Sequence, residues 1–134
     1  MTFKFGKEID KYLKAQTEIT DLVSNRIFPV VVTVERVKTP FIVYNRETIE
    51  ATESKDKTLQ QQTETYTFQV VTDGYQIGLD ICEALNNKLS HLHGNLEDFV
   101  LEDTEYVSYS EGYSDTESSK FVFSLQYQFK ITIK

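Results

Sequence analysis

KFVFSLQYQFKITIK, residues 120–134, is the stretch that decides the fold. Phe121, Phe123, Leu125, Tyr127, Phe129, Ile131 and Ile133 recur at every second position, the spacing that puts them on one face of a strand. Lys120, Val122, Ser124, Gln126, Gln128, Lys130, Thr132 and Lys134 fall on the other face. A slip of one residue would turn the whole apolar set toward water, so this strand has one register and one buried side. It needs other strands beside it and a layer on its apolar face.

Working upstream, Thr65–Thr72 alternates in the same way, with Tyr66, Phe68 and Val70 on one face. Phe41-Ile-Val-Tyr44 is apolar at four successive positions, as in a central strand covered on both sides. Phe99–Tyr109 makes another strand, its pattern broken at Asp103-Thr104-Glu105, where a bulge or bend is expected. Glu111 to Asp115 has the composition of a turn. Ile77, Ile81, Leu85 and Leu89, joined by Ala84 and Leu92, repeat at helical spacing and predict an amphipathic helix on the sheet. Asp73 and Gln76 have the spacing of a reciprocal helix cap, and Gly94 marks the stop. Near the start, Phe5, Ile9, Tyr12 and Leu13 make one face of a first helix. Ile19, Leu22 and Val23 make a second short turn capped by Thr17. The expected fold class is α+β: an antiparallel β-sheet of about four main strands with two main helices packed on one face, in the order α-α-β-β-α-β-β.

The length of 134 residues suits one domain, 1–134, with no internal boundary. At 40% hydrophobic and 26% charged residues, composition points to neither disorder nor a fibrous repeat. The longest apolar run, Ile27–Val32, contains Pro29 and falls far short of the roughly 20 residues of a membrane-spanning helix, so no membrane role is expected. The first residues lack the pattern of a secretory signal. Cys82 is the only cysteine, which forbids an internal disulfide and fits a reducing, cytosolic setting. Fourteen basic against 21 acidic residues give a net charge of −7. That balance opposes attraction to a phosphate backbone, and no basic stripe interleaved with aromatics is present.

The groupings that could carry chemistry are sparse. His91 and His93 are the only histidines, and they sit at the polar end of a helix, away from any patterned nucleophile. They would bind a metal only with carboxylates beside them. Glu102, Asp103 and Glu105, and likewise Glu47 and Glu50, could serve acid–base or Mg²⁺ chemistry if gathered, but acidic strands on a solvated face account for them equally. Cys82, among Ile81, Ala84 and Leu85, has the setting of a small core residue. No enzyme activity, cofactor or metal is expected. A small metal-dependent hydrolase or nuclease is the rival from another class.

One arrangement is more specific. Glu18-Ile-Thr-Asp-Leu-Val is followed by Asn25-Arg-Ile-Phe-Pro29 and, after a gap, by Thr39-Pro-Phe-Ile-Val-Tyr44. This resembles the opening of the tail-completion, or tail-terminator, proteins of long-tailed bacteriophages, with their Leu-Val, Arg-Ile-Tyr/Phe-Pro and Pro-Tyr/Phe-Ile/Val-Val-Tyr pieces. The polar hairpin, the helix around Gly78-Leu-Asp-Ile-Cys-Glu-Ala-Leu-Asn and the aromatic last strand follow in the family's order. Asn95 to Asp115 departs from it.

The resemblance implies a structural virion protein assembled in the bacterial host cytoplasm. It would form a homo-oligomeric ring, commonly a hexamer, on the head-proximal end of the tail tube. There it would end tube growth, meet the tail tube protein and the head connector or head-completion protein, and let DNA pass. Other head–tail joining or minor structural phage proteins, or a monomeric module binding at a sheet edge, are the nearer alternatives. The polar hairpin from Ala51 to Thr63 and the outer face of the last strand are the expected interfaces. Their candidate residues are Glu53, Lys55, Asp56, Lys57, Gln60, Gln61, Ser124, Gln126 and Gln128.

Overall fold

A computed structural model of the chain describes residues 1–30, 37–53, 60–114 and 119–134. Helices α1 (Gly6–Lys14) and α2 (Thr17–Val23) lead into strands β1 (Ile27–Pro29), β2 (Phe41–Glu53) and β3 (Gln60–Thr72). Helix α3 (Tyr75–Leu89) follows, then β4 (Gly94–Asn95), β5 (Phe99–Ser114) and β6 (Lys120–Ile133). The strands form one sheet in the order β1-β2-β3-β6-β5-β4.

This corrects the expected architecture. The sheet has six strands rather than four, it curls into a half-barrel, and three helices accompany it. It is mixed rather than antiparallel, because β1 runs parallel to β2, with Ile27 opposite Ile42. The element order gains a strand before the first hairpin and another after α3. Both extra strands are two or three residues long, too short for any periodicity to show.

The long strands follow their patterns. Tyr66, Phe68 and Val70 of β3 lie opposite Tyr127, Leu125 and Phe123 of β6, and all six are buried. Helices α1, α2 and α3 cover this face through Phe5, Ile9, Leu13, Ile19, Val23, Ile81, Leu85 and Leu89, building one core. Several of its aromatic rings meet edge to face, as Phe5 does with Phe99 and Tyr66 with Phe129. On the opposite face a smaller cluster of Phe41, Val43 and Val71, with Phe28, Val37 and Val122 against it, explains the four-residue apolar run of β2.

Helix α3 is turned slightly from its expected aspect. Its buried face is Gly78, Ile81, Cys82, Leu85 and Leu89, whereas Ile77 is 38% exposed. Gly78 is the reason: a Cβ there would stand 2.0 Å from Cε2 of Phe123, so only glycine lets the helix lie this close to β6. The expected caps are not used. Gly74 precedes the helix without a side-chain cap, while Thr17 already lies inside α2. Asp73 instead ties three segments together, accepting from Thr39 Oγ1 at 2.6 Å and pairing with Lys120. The helix stops at Leu89, with Ser90 extended, before Gly94 is reached.

A polar node fixes the N-terminal residues. Glu64 is fully buried, and its carboxylate accepts from Arg46 Nη1 at 3.0 Å, Tyr66 Oη at 2.9 Å and Gln62 Nε2 at 2.7 Å. Gln62 also donates to the carbonyl of Thr2 and accepts from its N–H, and Arg46 donates to the carbonyl of Phe3. Such a charge is tolerated inside only because it is paired and its lone pairs are filled.

Candidate interaction surfaces

The two pieces of the phage-like sequence pattern come together as one built unit. Arg26 reaches across to donate to the carbonyls of Pro40 (3.1 Å) and Thr39 (3.3 Å), and the Ile42 N–H donates to the Arg26 carbonyl. The pattern therefore encodes a strand junction, with Arg26 filling carbonyls that a three-residue strand leaves open.

Ser124, Gln126 and Gln128 do share the outer sheet face. They stand opposite Gln69, Thr67 and Thr65 of β3 on one side and Ser110, Ser108 and Glu105 of β5 on the other. The result is a polar ladder three strands wide, flanked by the Lys130–Glu105 pair at 2.8 Å. Gln61, opposite Thr132, joins this face. Gln60 is one residue out of phase with it and accepts from the N-terminal ammonium at 3.4 Å. Lys55, Asp56 and Lys57 lie outside the described residues, as does the side chain of Glu53.

The residues weighed for chemistry stay apart. His91 has its Nδ1 3.9 Å from Asp103, and the His93 ring contacts the backbone carbonyl of His91. Among the described residues no group of three or more His, Cys, Asp or Glu side chains is close enough to hold a metal. Cys82 is buried, and burial pushes its thiol up to about 12. No helix among the described residues is long and apolar enough to cross a membrane.

The surface that sequence reasoning missed lies between α3 and β5. Two bulges in β5, at Leu101/Asp103 and Tyr106/Ser108, reset its alternation. The second puts Tyr106 and Tyr109, three residues apart, on the same face, opposite Tyr127 and Leu125. β5 also runs on to Ser114 rather than turning at Glu111. Its distal half and α3 bound an open groove of roughly 960 Å³ whose floor is Leu125. Tyr75 and Tyr109 both donate to Glu111, one to each carboxylate oxygen, at 2.7 and 2.5 Å. These two hydroxyls hold the Glu111 carboxyl below its usual range. Tyr127 Oη donates to Asn86 at 2.7 Å, and its ring meets Tyr106 edge to face. The available signal was the tyrosine spacing of β5, which fits a bulged strand better than a regular one.

The molecule is thus an α+β chain offering a polar sheet face and an aromatic groove. No protein-family model matches the chain. No curated protein matches it either. Among solved structures it is similar to a chain of the virion of a native gene transfer agent (GTA) particle, with a TM-score of 0.74 at 12% identity. The match covers 98% of this chain and 99% of the other, so the two share a fold from end to end.

Proposed function

We propose that this chain is a structural component of a phage-like virion, working by contact and not by catalysis. The observation that carries the reading is the end-to-end fold match to a component of a GTA virion. The Arg26–Pro29 and Pro40–Tyr44 pattern supports a finer statement, since it resembles tail-completion proteins and forms a single strand junction here. In that reading the chain forms a ring on the head-proximal end of a tail tube, ends its growth and receives the head connector.

The polar outer face suits such contacts, because Ser124, Gln126 and Gln128 offer hydrogen bonds without like-charge repulsion. Six copies would multiply the net charge of −7, and an acidic lumen would let DNA slide through. The test is to delete the gene from the phage or prophage that encodes it and image the particles. Headless tails of uncontrolled length are expected. Normal tails joined to heads would refute the role, and a chain that stays monomeric beside purified tail tubes, without binding them, would refute the ring.

A further inference from the structure

The sheet's order leaves β5 with a free edge. β4 covers it only at Val100 and Leu101, and the backbone of Thr104 is met by the His91 N–H. From Glu105 to Tyr113, no strand among the described residues lies on that side. Nine residues of extended chain make an edge of about 30 Å, lined with backbone donors and acceptors open to another strand. Native proteins usually blunt such an edge with charges, proline or bulges; this one has Glu105, Glu111 and the Tyr106/Ser108 bulge but no lysine or proline, and it displays Tyr106, Val107, Tyr109 and Tyr113, each at least 39% exposed.

The groove beside the edge gives the charge of the occupant. Glu83 stands on its helical wall and Glu111 on its strand wall, and no Lys, Arg or His lines it. The tyrosine faces between them are platforms for apolar and cationic side chains alike. A second copy of this chain fits less well: the free stretch bears Glu105 and Glu111 and no cation, so pairing two copies would bring acids together with no charge to offset them.

We propose that the free edge of β5 takes up an extended segment of a partner protein as an added strand. The segment's lysine or arginine side chains lie in the α3–β5 groove between Glu83 and Glu111, and its apolar side chains rest on Tyr106 and Tyr109. Backbone hydrogen bonds supply affinity and the groove supplies selection, the division of labour in strand addition generally. The inference stands whether or not the chain caps a tail.

The probe is a ten-residue peptide alternating lysine with valine, set against its glutamate counterpart and a version with proline at its centre. Titration followed by NMR shifts of the intact chain should show the lysine peptide binding at β5 and α3, weakened by salt, with the other two peptides inert. In Glu111→Lys, checked for an unchanged fold, binding should weaken about tenfold or more, the scale of one lost and one repulsive ionic contact. Tyr106→Ala should weaken it with less salt dependence. No binding up to about 1 mM, the limit of a useful contact, overturns the proposal. So do shifts confined to other surfaces, or equal affinity in Glu111→Lys. A change in the chain's own oligomeric mass on either substitution would assign the edge to a second copy and overturn it as well.

Discussion

Replacing Gly78 by alanine tests the closeness of α3 to the sheet, on which the core and the groove both depend. In an ordinary helix interior this change stabilises by about 1 kcal/mol, because alanine restricts the unfolded chain and glycine does not. Here the new Cβ would lie 2.0, 2.4 and 2.9 Å from Cε2, Cζ and Cδ2 of Phe123. Carbon contacts settle at roughly 3.5–4.0 Å, so the ring would have to retreat by more than 1 Å. It cannot do so freely, being fully buried and against Tyr75 at 5.6 Å between centroids. Overpacking of this kind costs about 1–3 kcal/mol, and more where the neighbour has no escape, so the clash outweighs the propensity gain by about 2 kcal/mol. Thermal unfolding should fall by roughly 6–10 °C for a chain of this size. In a double-mutant cycle, Phe123→Leu makes room for the methyl, so the pair should be more stable than the sum of the single changes by about 1 kcal/mol. A Gly78→Ala protein as stable as the parent, or more so, would show that the helix does not approach the strand as described.

Arg46→Met removes the only cation among the described residues that is bonded to the buried Glu64 carboxylate and should destabilise by about 3–5 kcal/mol in urea titration, whereas changing both residues to apolar ones should cost much less. Acid sensitivity should be traceable to Asp10: burial raises its pKa, but the Tyr44 hydroxyl and Lys14 outweigh that and lower it overall. A lowered folded value means stability that is present above the ordinary carboxylate range and lost as pH falls below about 4, so Asp10→Asn should flatten that part of the stability–pH curve. Cys82, with its thiol near 12, should react with iodoacetamide at pH 8 at least several hundredfold more slowly in the native chain than in urea. Deleting Ser54 to Leu59 should impair ring assembly or tail joining if the hairpin makes those contacts, measured by particle mass and by counting tailed heads.

Legibility tracked length and exposure. β3 and β6 were readable because each buries one face over many residues, and Phe41–Tyr44 because it buries both. β1 and β4 hold two or three residues apiece, and their places are set by partners: Arg26 bridging to Pro40, Val100 receiving Asn95. The rotation of α3 came from the missing Cβ of Gly78, an effect of the neighbour Phe123 that no helical periodicity contains. Asp73 has the right spacing for a cap, yet Thr39 and Lys120, distant in sequence, compete for it and win. The same limit applies to surfaces. Ser124, Gln126 and Gln128 were found as a face because alternation groups them, but the groove joins residues from two elements across a bulge. Nothing local places Glu83 opposite Glu111.

The placement of β6 bears on how the chain is made. As synthesis proceeds from the N-terminus, α1 and β3 leave the ribosome before some of their partners exist, since Phe5 rests on Phe99 and Phe129, and β3 pairs with β6 as well as with β2. Until then α1 lacks Phe99 and Phe129, and β3 has β2 and α3 against it but no β6, while the node around Glu64, drawn wholly from residues 2–66, is already complete. The main core is therefore completed only when β6 joins the sheet. Contacts so distant in sequence close late, and the apolar surface they cover is open to aggregation until they do.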